Sequence, residues 1–268
     1  MKIQFKFLIL ILLPLILWSQ NSERNLNSEN WSFKKISDSN WLPAKVPGTV
    51  HTDLYNNKII PNPFFGNNEK DLQWIENETW EYQTSFKISK EELKNQNTIL
   101  QFEGLDTYAE VFLNNEKILD ANNMFRTWKV DVKNNLKVGK NNLKIVFKSA
   151  VEIGKAKAQK LPYTLPEKER IFSRKAQYHF GWDWGPRFAT SGIYRPIKLL
   201  FWNNATIENV KYEQEELNEV IAKLNFKVTI DCQFAGNYDL KINGVQKDFE
   251  LKKGINSIDF PYEIKNPK

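Results

Sequence analysis

Apolar and polar residues alternate along much of the chain, which is the pattern of half-buried β-strands. The clearest case runs from Trp80 to Ile88, where Trp, Tyr, Thr, Phe and Ile alternate with Glu, Gln, Ser and Lys. Further strands are predicted at 98–102, 108–113, 117–119, 125–132, 143–147 and 193–202. Asn114-Asn115-Glu116 is typical of a hairpin turn. Many short strands separated by turns indicate an antiparallel sandwich and an all-β fold.

Three segments depart from this alternation. The stretch from Ala150 to Leu161, closed by Pro162, is predicted to be a helix. Residues 162–192 follow neither period and are rich in aromatic residues, so we interpret them as a long excursion from the sandwich. Ordered loops of this kind often carry binding residues. The polar stretch from Asn21 to Asn30 is predicted to be mobile.

A second set of strands begins after Asn203-Asn204. They are predicted at 207–212, 220–234, 238–242, 248–251 and 258–262. This region has about 65 residues, whereas an immunoglobulin-like sandwich needs about 100. The pattern therefore predicts a partial immunoglobulin-like sandwich. Its alternation places Cys232, the single cysteine of the chain, on a buried strand face as a small core residue.

The first 20 residues have the pattern of a secretory signal peptide. Lys2 and Lys6 precede a short apolar run from Phe7 to Trp18, and a polar stretch follows it. The run is too short to span about 30 Å of hydrocarbon as a helix. We therefore predict export and no membrane span after cleavage of the signal. An uncleaved membrane anchor is the alternative.

Charge and composition argue against several classes of function. The net charge is +6, but the lysines are scattered among acidic residues and form no basic stripe, so nucleic acid is not predicted as a partner. Two histidines and one cysteine cannot form a familiar zinc site, and no nucleotide-binding loop or Gly-x-Ser-x-Gly motif occurs. The sequence therefore predicts neither a metal nor a cofactor.

Two segments have unusual chemistry. The first joins Val46 to Leu54 with Pro61 to Gly66, and its density of Pro and Gly favours turns and loops that form scaffold. The second contains Trp182, Asp183 and Trp184 between glycines. Indole faces stack on the C–H patch of a pyranose, and a carboxylate accepts hydrogen bonds from two adjacent hydroxyls. These three residues are the predicted substrate-binding residues; the alternative is that they cap the core and hold a turn.

At these residues the chain resembles the β-mannosidases of glycoside hydrolase family 2. The likeness covers nearly all of the chain after the signal. It is carried by Pro47 to Leu54, Asn68-Glu69-Lys70, Leu72 to Ile75, Trp80-Glu81-Tyr82, Arg174 to Pro186 and Gly192 to Ile197. The Trp-Asp-Trp-Gly-Pro motif favours the β-mannosidases over the galactosidases and glucuronidases of the same family.

With the signal peptide predicted at 1–20, the resemblance implies a jelly-roll, galactose-binding-like sandwich at 21–202 and an incomplete immunoglobulin-like domain at 203–268. It also implies a catalytic (β/α)₈ barrel that lies beyond these residues. The expected function is hydrolysis of terminal non-reducing β-D-mannose residues, and the expected ligand is a β-mannoside or a mannose-containing oligosaccharide. The alternative is a non-catalytic carbohydrate-binding module.

The resemblance nominates no catalytic residue in this chain. The general acid of the family is the Glu of an Asn-Glu pair on a barrel strand. Such pairs occur at Glu69, Glu78, Glu116 and Glu219, all in predicted turns or linkers. A retaining glycosidase needs two carboxyl groups about 5–5.5 Å apart. The chain alone is therefore expected to be inactive, with the barrel of a full-length chain as its partner. Its expected location is periplasmic or extracellular, or lysosomal in a eukaryotic host.

Overall fold

A computed structural model describes residues 22–267, so the predicted signal peptide lies outside the described residues. The strands are β1 (Ser22–Asn25), β2 (Trp31–Lys35), β3 (Leu42–Ala44), β4 (Trp80–Ile88), β5 (Asn97–Phe102), β6 (Tyr108–Leu113), β7 (Glu116–Asn122), β8 (Trp128–Asp131), β9 (Gly139–Lys148), β10 (Phe180–Trp182), β11 (Gly185–Arg187), β12 (Ile197–Trp202), β13 (Ala205–Leu217), β14 (Ile221–Cys232), β15 (Gly236–Ile242), β16 (Val245–Leu251) and β17 (Gly254–Lys265). The helices are α1 (Val50–Asn56), α2 (Asn68–Asp71) and α3 (Ala150–Ala158), with 3₁₀ turns at Gln73–Asn77, Glu92–Lys94, Lys168–Phe172 and Gln177–His179. The predicted all-β fold is confirmed.

The first part of the chain is a sandwich of two antiparallel sheets. One sheet has six strands in the order β3-β2-β4-β9-β6-β7, and the other has four in the order β1-β12-β5-β8. The core cluster contains side chains from both sheets, including Tyr82 of β4, Phe102 of β5 and Phe201 of β12, so the sheets pack face to face. Burial of each such side chain stabilises the fold by roughly 1.5–3 kcal/mol. The predicted jelly-roll sandwich is confirmed.

A polar pair lies inside this core. Tyr82 is fully buried, and its hydroxyl donates to Asp53 Oδ2 at 2.8 Å. The backbone N–H of Lys45 donates to Asp53 Oδ1 at 2.9 Å. Burial raises the pKa of Asp53 to about 6, although both hydrogen bonds oppose this shift. The carboxyl group of α1 is therefore held by strand β4 on one side and by the loop before α1 on the other.

Two segments form regular structure that their composition does not predict. The stretch from Asn21 to Asn30 was predicted to be mobile, and this is wrong for the residues described: β1 pairs with β12, and Leu26 is fully buried. Main-chain pairing with an edge strand requires no apolar pattern, which explains why the pattern missed it. The segment from Val46 to Leu54 is predicted to form turns and loops, but its second half belongs to α1. The Thr49 side chain caps this helix in a capping box with Thr52.

Two predicted strands are shorter than their patterns. The strand predicted at 125–132 begins at Trp128, because the Asn123 side chain accepts the Phe125 N–H at 2.9 Å and forms a turn. The strand predicted at 193–202 begins at Ile197, directly after Pro196, which has no N–H to donate to a ladder. The other predicted strands and the helix at 150–161 are confirmed to within a few residues.

The second part of the chain has a smaller core. A three-stranded sheet in the order β13-β14-β17 packs against the β15–β16 hairpin. Its core cluster contains Val228, Ile230, Cys232 and Leu251. Cys232 is 1% exposed, which confirms its predicted place on the buried face, and burial raises the pKa of its thiol. These five strands form the predicted partial immunoglobulin-like sandwich. The domain boundary between residues 202 and 203 stays a prediction.

Candidate functional site

A short β-hairpin projects from the long excursion between α3 and β12. Strands β10 and β11 pair through Phe180 with Arg187 and through Trp182 with Gly185. Asp183 and Trp184 are the two residues of the turn. Trp182 is 44% exposed and Trp184 is 83% exposed, and their ring centroids lie 5.9 Å apart. The structure therefore brings the three predicted substrate-binding residues together at an exposed tip.

Local backbone geometry makes this tip possible. Gly181 has φ +89, in the region that favours glycine, and a Cβ there would lie 3.3 Å from the Cβ of Arg187. Below the tip, the Arg170 guanidinium lies 5.4 Å from the centroid of the Trp182 ring. This cation–π contact holds one indole while the second indole and the Asp183 carboxylate face solvent.

Arg187 anchors the base of the hairpin. Its Nε donates to both carboxylate oxygens of Glu76 at 3.0 Å, and its Nη2 reaches Glu76 at 2.7 Å and Glu169 at 2.9 Å. The Arg187 N–H donates to Glu69 Oε1 at 2.5 Å, and Gln73 Nε2 donates to the Arg187 carbonyl at 3.0 Å. Bidentate pairs of this kind fix orientation as well as position. Sequence analysis did not identify Arg187 or its partners as parts of the site.

A buried ion pair lies in the sandwich at the root of the excursion. Lys175 Nζ donates to the two carboxylate oxygens of Asp106 at 2.6 and 2.5 Å and to the Thr190 carbonyl at 2.7 Å. The Thr190 hydroxyl also donates to Asp106, at 2.7 Å. Both charged side chains are at most 1% exposed. Burial lowers the pKa of Lys175, and the charge of Asp106 opposes that shift. The sequence signal was weak here, since a lysine that follows an arginine in a loop suggests exposure.

His179 lies against this pair. Its Nδ1 is 3.3 Å from the Thr190 hydroxyl and 3.8 Å from Asp106 Oδ2. Burial, with the charge of Lys175, lowers the pKa of His179 to about 4. The imidazole is therefore neutral at physiological pH and acts as a hydrogen-bonding group rather than a cation.

The glutamates of the four Asn-Glu pairs lie in different elements, and of these Glu69 contacts the base of the hairpin. Glu69 belongs to α2 and Glu116 to β7, while Glu78 follows a 3₁₀ turn and Glu219 lies between β13 and β14. Within residues 22–267, no three His, Cys, Asp or Glu side chains cluster in a way that could hold a metal ion. In the same residues no helix is long and apolar enough to cross a membrane.

The two-sheet sandwich with its side hairpin defines a domain of the galactose-binding-like class. Residues 31–195 match the family described as the glycosyl hydrolase 2 galactose-binding domain-like family, and the chain belongs to this family.

Similar proteins include two β-mannosidases known by sequence. β-Mannosidase B of Thermothelomyces thermophilus is 33% identical over 229 residues, which are 81% of this chain and 26% of that protein. The β-mannosidase of Mus musculus is 34% identical over 196 residues, which are 69% of this chain and 22% of that protein. The chain thus spans about a quarter of the length of these relatives.

A crystal structure shows the same fold. The β-D-mannosidase of Dictyoglomus thermophilum is 40% identical to this chain and superposes with a TM-score of 0.85. The match covers 92% of this chain and 32% of that one. The described fold is therefore similar to that of about a third of the Dictyoglomus thermophilum chain.

Proposed function

We propose that this chain is the substrate-recognition region of a β-mannosidase that removes terminal non-reducing β-D-mannose residues. The observation that carries the proposal is the hairpin tip, where Trp182, Asp183 and Trp184 project together on a rigid base. Similarity to β-mannosidases over most of the chain supports mannose as the sugar. The proposed ligand is a β-mannoside or an oligosaccharide that ends in β-mannose.

The chemistry of the tip suits recognition of one pyranose. Asp183 offers a carboxylate that accepts hydrogen bonds from two neighbouring hydroxyls, and hydrogen bonds to a charged group contribute about 1.5–3 kcal/mol each. The two indoles supply apolar area for the C–H face of the ring and exclude water from the bonds that Asp183 makes. The anchored hairpin holds the two indoles and the Asp183 carboxylate away from the sandwich in a fixed orientation.

Hydrolysis is assigned to groups outside this chain. A retaining glycosidase requires two carboxyl groups about 5–5.5 Å apart, whereas the hairpin turn supplies one, Asp183. We propose that a catalytic barrel provides the nucleophile and the acid, and that this chain alone binds sugar without cleaving it. Export is part of the proposal, because a charged and apolar leader precedes the described residues.

The test is a titration of the purified chain with methyl β-D-mannopyranoside. The readout is the NMR signals of the indole N–H groups, assigned with Trp182→Phe and Trp184→Phe variants. We expect both signals to shift, and Asp183→Ala to lower the affinity at least about tenfold. Methyl β-D-galactopyranoside, which differs in its hydroxyl configuration, is expected to bind more weakly.

Asp248→Ala is the matched control. Asp248 is an exposed carboxylate on β16, far along the chain from the hairpin, and it faces Asp239 across the ladder. Its removal should leave the titration unchanged. The proposal fails if Asp183→Ala binds like the parent chain, or if galactoside and mannoside shift the indole signals equally.

A further inference from the structure

The β15–β16 hairpin covers only part of the sheet that it packs against. Strand β16 lies over β17, since Lys247 Nζ donates to the Pro261 carbonyl at 3.2 Å and the Phe249 and Phe260 ring centroids are 6.3 Å apart. Strand β15 lies toward β13, and residues of both strands line a cavity of about 130 Å³. Because two strands face three, the side of the sheet at β13 is left uncovered.

Strand β13 has apolar side chains on this uncovered side. Ile207 is 52% exposed, Val210 is 50% exposed and Tyr212 is 64% exposed. Val210 lies directly opposite Val228, which is buried in the core cluster, and Ile207 lies opposite the buried Ile230 in the same way. Directly opposite residues share a face of the sheet, so these side chains belong to the core face. A strand added beside β15 would lie over them and remove apolar surface from water.

One edge of β15 has no strand beside it in the described part of the chain, because β15 and β16 form a sheet of two strands. Ile242 and Val245 flank a two-residue turn, and from this pair the direction of the main-chain N–H and C=O groups alternates along β15. Leu240 therefore bonds to β16, whereas the main-chain groups of Asp239 and Lys241 point away from it. Such a free edge is a template for pairing with another strand.

The side chains at this edge carry opposite charges that are not paired. Among residues 22–267, neither Asp239 nor Lys241 forms a salt bridge. Asp239 lies directly opposite Asp248 of β16, which raises the pKa of Asp239 by hydrogen bonding and by its charge. Like charges in opposite positions of a ladder are unfavourable. Gln246 Nε2 donates to Asp239 Oδ2 at 3.1 Å but brings no positive charge. A cation placed beside Asp239 would therefore be favourable.

The sequence of β15 is complementary to itself in antiparallel pairing. With Leu240 opposite Leu240 of a second copy, Asp239 of each copy lies opposite Lys241 of the other. Tyr238 then lies opposite Ile242, on the face that covers β13. In this register the outward main-chain groups of Asp239 and Lys241 meet those of the second copy. A shift by two residues in either direction would place Asp239 opposite Asp239, or Lys241 opposite Lys241.

We propose that two copies of this chain associate through the free edge of β15, in antiparallel pairing centred on Leu240. Both copies contribute the same strand, so the interface is isologous and two hairpins become one four-stranded sheet. The same contact pairs the opposite charges of the edge, bonds its main-chain groups and covers the apolar face of β13. The inference is independent of sugar recognition by the β10–β11 hairpin.

Sedimentation equilibrium of the purified chain tests the association. We expect the mean mass to rise from one copy at about 1 µM to nearly two copies at about 300 µM, which is the range of a small interface. Lys241→Glu and Asp239→Lys should each weaken association at least about tenfold, because each places like charges opposite one another. The variant that combines both changes should regain the affinity of the parent chain to within about threefold. Such a rescue separates a lost contact from a misfolded chain.

Lys90→Glu is the matched control, because it makes the same change of charge at an exposed residue in the loop after β4. It should leave association unchanged. Hydrogen exchange locates the contact, since the amides of Asp239 and Lys241 should exchange more slowly at about 300 µM than at about 1 µM.

Three results would overturn the proposal. The first is the mass of one copy at every concentration, and the second is a dimer that the charge variants do not weaken. The third is growth beyond two copies, because pairing of the two β15 edges closes the assembly. Slow exchange of the Asp239 and Lys241 amides at every concentration would show that the edge is covered within one copy, which also overturns it.

Discussion

Two histidines are kept uncharged by burial and, to a smaller extent, by the positive charge of one lysine. His51 is buried and His179 is partly buried, and the positive charge of Lys175 adds to the desolvation of each ring. The negative charge of Asp106 raises the pKa of both rings, but by less than burial and the charge of Lys175 lower it. The pKa of each histidine is about 4 in the folded chain, against 6.5 in an unfolded one. Protonation of either ring therefore favours the unfolded chain.

The free energy of unfolding should fall in mild acid. Below pH 6.5 His51 and His179 bind protons in the unfolded chain but stay neutral in the folded chain. Their contribution to the free energy of unfolding is therefore complete above pH 6.5 and is lost as the pH falls toward 4. Between pH 7 and pH 5 the loss is about 2 kcal/mol for each histidine. Urea unfolding at several pH values measures it. His179→Gln should remove about half of the loss, and a flat profile would contradict the expectation.

Asp53 acts in the opposite direction. Its folded pKa of about 6 exceeds the ordinary value of 3.8, so its contribution is complete below pH 3.8 and is lost as the pH rises through 6. As the pH falls from 7 to 5, the Asp53 contribution raises the free energy of unfolding by about 1 kcal/mol. Asp53→Asn should therefore make the acid-induced loss steeper than in the parent chain. A shallower loss in Asp53→Asn would mean that this carboxyl group is not the opposing contribution.

At the level of elements, the hairpin cannot be stable by its own ladder. Each of its strands has three residues, and an isolated two-stranded hairpin is at best marginal in water. Its orientation comes instead from the bonds of Arg187 to Glu76, Glu169 and Glu69. Glu76 is 8% exposed, so the central carboxylate of this network depends on its cation.

Arg187→Met should loosen the hairpin and weaken sugar binding together. The variant leaves Glu76 buried without its cation, so we expect a loss of about 2 kcal/mol in the free energy of unfolding. Hydrogen exchange measured by mass spectrometry should show faster exchange at 180–187 than in the parent chain. Arg187→Lys should recover part of the stability but not the bidentate geometry.

Lys155→Met is the control for loss of a cation. Lys155 pairs with Glu152 at 2.7 Å on the surface, with both side chains about half exposed. Exposed pairs contribute about 0–1 kcal/mol, so this variant should be nearly neutral in stability and exchange. Unchanged exchange at 180–187 in Arg187→Met would show that the hairpin keeps its shape without the anchor.

Across the whole molecule, the two parts differ greatly in the size of their cores. The sandwich buries large side chains such as Phe33, Tyr82 and Phe147 in one cluster. The second part buries a compact cluster that includes Ile230 and Leu251. In the described residues, no sheet contains strands from both parts. Lys129 of β8 and Glu208 of β13 form an ion pair across the junction. The two parts should therefore differ in local stability.

Matched core variants should separate the two parts. Ile145→Ala in β9 and Ile230→Ala in β14 remove the same atoms from buried sites, at 0% and 6% exposure. Each should cost about 2–5 kcal/mol in its own part. Ile230→Ala should speed hydrogen exchange at 205–265 and leave β4 and β9 protected. Ile145→Ala should destabilise the sandwich. Equal acceleration of both parts by Ile230→Ala would mean that the chain unfolds as one cooperative unit.

Much of the fold could be predicted from the sequence by local rules. Strand β4 alternates apolar and polar residues, and a half-buried sheet enforces that period because successive side chains point to opposite faces. The clustering of Trp182, Asp183 and Trp184 was also predictable, since neighbours in a tight turn cannot lie far apart. Cys232 followed from the same alternation in β14.

Only the tertiary structure decided what supports these residues. Arg187 meets Glu76 across 111 positions of sequence, and Lys175 meets Asp106 across 69. Charged residues at such separations show no periodicity, and nothing local favours one partner over another. Strand β1 forms because its main chain hydrogen-bonds to β12. The hairpin residues were therefore determined by adjacency along the chain. Their anchor was determined by contacts that exist only once the sheets have packed.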